Sequence, residues 1–205
     1  MSIKAVIFDL GQVIFKFDLS KFIKSFVKKT PADFHKDANK LIIEYSQPAL
    51  LYETGKISSL EFYNAIVQKT RYSGSFNEFS VIWNNIFKLN CETLEVIAAL
   101  RRAQYHLAVL SNTNELHFEY IKAGYPEVFA LFDKFFLSYE MKEKKPNDGI
   151  FQKVIEHYGV PASNLFFTDD LDENVRAAKR NGMAAYQFTT ALNLKENLKS
   201  EGIII

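Results

Sequence analysis

Four places in the chain carry residues whose types, taken together, could handle a phosphoryl group. They are Asp9 at the end of "KAVIFDL", Ser111 and Asn112 at the end of "HLAVLSN", Lys145 in "KEKKPNDG", and the pair Asp169–Asp170 closing "NLFFTDD". A phosphate ester repels an attacking carboxylate, so the attack needs its charge neutralised first. Asp9 and Asp170 are hard oxygen ligands that could share one Mg2+ and still leave positions for waters and a phosphate oxygen. Such an ion would offset the repulsion. Lys145 would add a fixed positive charge, and the Ser111 hydroxyl would donate to the same oxygens. Asp9 would then be free to act as a nucleophile, forming an aspartyl-phosphate that water hydrolyses.

These residues meet only if the chain aligns the ends of several strands. "KAVIFDL" is short, continuous and rich in β-branched and aromatic residues, the pattern of a strand covered on both faces. His106–Asn112, Lys134–Glu140 and Asn164–Asp170 repeat it, and Ala184–Phe188 does so more weakly. Helical patterns lie between them: "ETLEVIAALRRAQ", "NDGIFQKVIEHYGVP" with Gly159 and Pro161 as stop signals, and "DENVRAAKRNG", acidic at its start and basic at its end. From His106 onward the alternation predicts an α/β fold, a Rossmann-like, mainly parallel sheet sandwiched by helices with right-handed crossovers. In such a sheet ligands bind beyond the carboxyl ends of the strands, where three of the four places fall and Lys145 follows by a short loop.

Residues 16–87 read differently. "LSKFIKSFVKK", "ANKLIIEYSQPALLYETG" and "SSLEFYNAIVQKT" are helical, the last opened by a Ser58–Glu61 capping box, and no strand is expected there. The expected organisation is therefore a core of residues 1–15 and 88–205 with a helical cap domain inserted at 16–87.

At this point the motifs gain a family. "VIFDLGQVI", "VLSNT", "KKPNDGIF" and "FFTDDLDENVRAAKRNGM", in this order, resemble the haloacid dehalogenase superfamily of aspartate-nucleophile phosphatases, across essentially the whole chain. The resemblance implies Asp9 as nucleophile and metal ligand, with the Gly11 backbone carbonyl as a further ligand. It implies Ser111 and Asn112 as phosphate contacts, Lys145 as the neutralising ammonium, and Asp170 as the metal carboxylate supported by Asp169 and Asn174. The inserted helices look like the family's small cap, closing over a small phosphorylated metabolite such as a sugar phosphate.

One departure stands out. Most phosphatases of this family carry a second acid two residues after the nucleophile, where it protonates the leaving oxygen. Here that position is Gly11, and Gln12 cannot replace it. The expectation is a preference for leaving groups that need little protonation, and a gain toward alkyl phosphates in Gly11→Asp. Two other functions compete: metal-free carbon–halogen hydrolysis of the 2-haloacid type, and a catalytically weak phosphate-binding or regulatory protein.

Composition narrows the partners. The 205 residues carry a formal net charge of +1 with 48% hydrophobic residues, which predicts neither a nucleic-acid surface nor an anionic-membrane surface. The apolar run around Asp9 reads as neither a signal peptide nor a membrane span. Cys91 is the single cysteine, which fits a reducing, cytoplasmic setting, and it reads as a half-buried thiol. His35, His106, His117 and His157 are scattered without ligand spacing. Lys142 and Lys144 read as a solvated basic run. Phe62, Tyr63, Phe79 and Trp83 read as helix-packing residues.

Overall fold

A computed structural model describes residues 2–32 and 47–205. Strand β1 (Ala5–Phe8) is wholly buried and leads into a tight turn. β2 (Phe15–Phe17) and α1 (Leu19–Val27) follow. After a helical stretch at 47–53 come α2 (Ser59–Thr70) and α3 (Phe76–Asn84). β3 (Phe87–Leu89), α4 (Cys91–Arg102) and β4 (His106–Ser111) return the chain to the sheet. Next are α5 (Glu115–Gly124), α6 (Pro126–Phe129), β5 (Lys134–Leu137), α7 (Ser138–Met141) and α8 (Asp148–Tyr158). The chain closes with β6 (Leu165–Asp169), α9 (Asp172–Arg180), β7 (Ala184–Gln187) and α10 (Ala191–Ser200).

The sheet runs β5-β4-β1-β6-β7, all parallel. β1 is central because it is buried on both faces and edged on both sides, which its unbroken apolar run requires. Side chains alternate across it. Val6 and Phe8 join the cluster made with Val96, Ile97, Phe118, Ile121 and Leu194, whereas Ala5 and Ile7 join Phe151, Val154, Val175 and Ala178 on the other face. The chain passes from β1 to β4 on one side and later to β6 on the other. The switch in direction opens a crevice beyond the end of β1, where Asp9 sits.

The helical insert has its own core. Phe26 stacks on Tyr72 at 4.8 Å, Tyr52 on Phe62 at 4.7 Å, and Phe22, Phe62 and Phe79 surround Trp83. Phe22, Phe26, Phe62 and Phe79 are buried here, each fully buried ring contributing about 1.5–3 kcal/mol. The Ser58–Glu61 capping box forms, and a second one, Ser75–Glu78, opens α3.

Several expectations need correction. Two strands do bracket the insert: β2 pairs antiparallel with β3, Phe15 opposite Leu89 and Phe17 opposite Phe87. Three residues each are too few for a period-2 pattern to show. The strand expected over 134–140 stops at Leu137, because Ser138 turns into α7, its hydroxyl donating to the Thr113 carbonyl and accepting from the Thr113 N–H, both at 3.0 Å. Cys91 is exposed rather than half-buried, since it opens α4 on the solvent side. Residues 38–46 of the pattern expected over 38–55 and His35 lie outside the described residues. Among the described residues, no helix is long and apolar enough to cross a membrane.

The insert is seated on the core at Gly55. Its φ is +59°, and a Cβ there would fall 2.0 Å from the Tyr139 carbonyl oxygen, so the two backbones approach in a way no other residue permits. Lys142 Nζ donates to the Gly55 carbonyl at 2.7 Å.

Candidate active site

Asp9 follows β1 directly, and its N–H donates to the Thr168 carbonyl on β6 at 2.9 Å. Its carboxylate is therefore held at the level of Asp169, the last residue of β6. Between them lies Lys145, 1% exposed. The Lys145 ammonium donates to Asp9 Oδ1 at 2.7 Å, to Asp169 Oδ2 at 2.6 Å and to the Leu110 carbonyl at 2.8 Å, using all three of its protons.

The lysine reaches this position because Asn112 holds its backbone. Asn112 Nδ2 donates to the Lys145 carbonyl, and Asn112 Oδ1 accepts the Lys145 N–H, both at 2.9 Å. The side chain expected to touch phosphate is thus turned toward the main chain of Lys145. Ser111, last in β4, is buried and borders the cavity described below.

Asp169 and Asp170 are engaged differently. Asp169 is buried, and besides Lys145 it accepts the Leu171 N–H at 2.9 Å and the Asn174 amide at 3.0 Å on both oxygens. Asn174, one turn into α9, is thereby tied to Asp169. Asp170 is partly exposed and has none of these partners. Asp9, Asp169 and Asp170 each place an oxygen within 4.8 Å of one another.

Three carboxylates facing one ammonium leave a net charge of −2 in a largely buried site. The imbalance registers in the acids. Burial pushes the Asp9 carboxyl up to about 7, with Lys145 pulling it down and the charge of Asp169 pushing it further up. Burial and the Asp169 charge likewise raise Asp170. Burial works to discharge Lys145, but the two acids it touches outweigh that and hold it above the ordinary lysine value. A site of hard oxygens short of two positive charges has the chemistry of a divalent-cation site, and the donor set fits Mg2+.

The turn after Asp9 is tight. Gln12 adopts φ 55°, and the Gly11 carbonyl accepts the Val13 N–H at 2.7 Å. A Cβ at position 11 would sit 3.2 Å from the Phe17 ring and 3.7 Å from Asp9 Oδ2. A side chain at this position would press on the edge of the Phe17 ring.

Beside Gly11 and Ser111 opens a cavity of about 270 Å³ between insert and core. Phe17, Trp83 and Phe87 form aromatic wall, and Glu53 reaches it from the helical stretch 47–53. Trp83 does pack within the insert, as its apolar neighbours foretold, but it also faces this cavity and stacks on the His117 ring at 4.8 Å. His117 Nε2 must carry a proton, because it meets the Trp83 carbonyl at 3.1 Å; Nδ1 then accepts from Asn114 Nδ2 at 3.1 Å. Burial lowers its pKa to about 4, so the ring is neutral. The other described histidines, His106 and His157, are exposed, and neither borders the cavity.

Lys142 and Lys144 are not a merely solvated run. Lys142 binds the Gly55 carbonyl, and Lys144 Nζ lies 3.1 Å from Glu53 Oε2. Their partners stand 87 and 91 residues away in sequence, beyond the reach of local pattern.

Comparison with known proteins places nearly the whole chain among relatives. The profile described as haloacid dehalogenase-like hydrolase matches residues 3–182. The chain is 29% identical to the D-ribitol-5-phosphate phosphatase of Bacteroides thetaiotaomicron, over 96% of this chain and 97% of that one. It is 28% identical to drimenol cyclase of Aspergillus calidoustus over 91% of this chain, which spans about a third (34%) of that protein. A HAD-family enzyme of Bacteroides thetaiotaomicron, solved in complex with magnesium and inorganic phosphate, superposes with a TM-score of 0.81 at 29% identity, covering 92% of this chain and 95% of that one.

Proposed function

The chain belongs to the haloacid dehalogenase-like hydrolases, and within that family we propose that it is a Mg2+-dependent phosphatase of a small phosphorylated sugar or polyol. One observation carries the reading: three carboxylates cluster where a single buried ammonium, paired with two of them, leaves the site two positive charges short. Likeness to a D-ribitol-5-phosphate phosphatase along nearly the whole of both chains supports the substrate class.

In this reading Asp9 and Asp170 hold the metal, with the Gly11 carbonyl beside them, and Mg2+ when bound neutralises the meeting of carboxylate and phosphate. Lys145 favours the ionised form of Asp9 and aims its carboxylate. An Asp9 oxygen attacks phosphorus, the bond from phosphorus to the ester oxygen breaks, and the alcohol departs. No side-chain acid stands at position 11, so the departing oxygen takes its proton from water. A second water then attacks the aspartyl-phosphate, regenerating the Asp9 carboxylate and releasing inorganic phosphate. Ser111 donates to the phosphoryl oxygens. Asp169 and Asn174 hold Lys145 in place, and Asn112 does so from the backbone side.

The carboxylate cluster argues against metal-free dehalogenation, because without a metal ion Lys145 alone must offset three acids. The alternative of a silent binder gives no reason to bury a lysine against the candidate nucleophile. The test is release of phosphate from a panel of sugar and polyol phosphates, with Mg2+ and with EDTA, for the natural chain and Asp9→Asn. Metal-dependent release that disappears in Asp9→Asn supports the assignment. Halide release from 2-haloacids in EDTA, or no turnover of any phosphate, would overturn it.

A further inference from the structure

The cavity beside the acid cluster is walled on its insert side by hydrocarbon and aromatic surface, with a single charged exception. Leu19, Trp83, Ile86 and Phe87 border it, and so does Glu53. His117, the other ionisable group on the wall, is neutral and has both ring nitrogens occupied by Asn114 and the Trp83 carbonyl. Glu53 is therefore the one described side chain that brings charge to the part of the cavity away from Asp9.

Its position is fixed. Glu53 Oε2 lies 3.1 Å from Lys144 Nζ, and Lys144 immediately precedes the lysine buried against Asp9. A tie between insert and core would be the ordinary reason for such a pair. Both side chains are about a third exposed, however, at 32% and 29%, and ion pairs of that kind contribute only about 0–1 kcal/mol. So weak a tie, made through one oxygen, leaves the Glu53 carboxylate acceptor capacity for a polar molecule entering the cavity.

Resting on the phosphatase reading above, we infer that Glu53 is the specificity-determining residue for the leaving group, accepting hydrogen bonds from the hydroxyls of a neutral polyol or sugar. A carboxylate offers acceptor sites only, so it fits hydroxyl groups. Its charge repels a leaving group that carries its own carboxylate or a second phosphate. Trp83 covers the C–H face of the same molecule. The substrate class is a neutral, polyhydroxylated monophosphate.

The experiment compares kcat/KM for ribitol 5-phosphate, p-nitrophenyl phosphate and phosphoglycolate in the natural chain, Glu53→Gln and Glu53→Ala. Loss of hydrogen bonds to a charged acceptor should lower the ratio of ribitol 5-phosphate to p-nitrophenyl phosphate by about tenfold to a hundredfold in Glu53→Ala, mainly through KM. In Glu53→Gln, removing the charge should raise phosphoglycolate relative to p-nitrophenyl phosphate. Opposite signs for the two substrates are something a merely structural tie would not produce. Ratios that stay within about twofold of the natural chain's in both variants would overturn the inference. A natural chain inert toward all three would instead bring down the phosphatase reading on which it rests.

Discussion

The Lys145 ammonium lies 2.7 Å from Asp9 Oδ1 where almost no solvent reaches either group. A buried charge pair is costly to break from one side, because the surviving charges stay desolvated. In Lys145→Met, Asp9 and Asp169 would face each other without a counter-charge. Unfolding by urea in EDTA should show a loss of about 3–5 kcal/mol. A loss below about 1 kcal/mol, the range of exposed pairs, would mean that the contact is not closed in solution.

Metal binding should be visible in stability as well as in turnover. An ion that binds only the folded chain stabilises it by about 2.7 kcal/mol at a hundred times its dissociation constant. Mg2+ should therefore raise the Tm of the natural chain, and Asp170→Asn should abolish most of that rise while leaving the fold intact, since Asp170 lacks the hydrogen bonds that tie down Asp169. An undiminished rise in Asp170→Asn would remove it from the ligand set.

Position 11 makes a prediction about leaving groups. With no acid to donate a proton, kcat/KM should fall steeply as the leaving-group pKa rises from aryl to alkyl phosphates; a flat series would mean that another group supplies the proton. Gly11→Asp adds a Cβ 3.2 Å from the Phe17 ring, but that residue is 39% exposed and has room to turn. The variant should recover part of the roughly 10²–10⁴-fold that general acid catalysis supplies, on alkyl phosphates above all. Phosphate release across the series, for both proteins, decides it.

How much of this could be read in advance depended on range. β1, β4 and β6 announce themselves because a strand buried on both faces must be continuously apolar, and an acid, hydroxyl or acid pair at its end then has nowhere else to be. Lys145 was legible from its place before Pro146, but its three hydrogen bonds were not. The Asn112 side-chain bonds to the Lys145 backbone were not legible, because a turn-forming amide looks the same whether it binds a ligand or a backbone. β2 and β3 escaped notice because three residues carry no period. Glu53, Lys142 and Lys144 looked like ordinary surface charges, and only folding shows that they meet across the seam. Trp83 was recognised as packing, yet a ring with two faces can pack on one side and line a cavity on the other.

His117 gives a pH dependence that is separate from the acids. Its folded pKa, about 4, lies below the ordinary histidine value of about 6.5. Between those values the unfolded chain takes up the proton and the folded chain does not, so stability is full above about pH 6.5 and falls as the pH drops toward 4. The expected loss at pH 4.5 is on the order of 1–3 kcal/mol. His117→Asn should flatten that part of the profile, measured by urea midpoints at pH 7.5, 6 and 4.5. An unchanged slope would show that His117 is protonated within the folded protein.

Within four consecutive residues, Lys142 grips the Gly55 carbonyl, Lys144 meets Glu53, and Lys145 turns inward to Asp9 and Asp169. That interval works as a ruler. Lengthen it by one residue and either the outward grips or the inward ammonium would lose register. The seat of the insert on the core and the counter-charge of Asp9 are thus carried by one short stretch of chain.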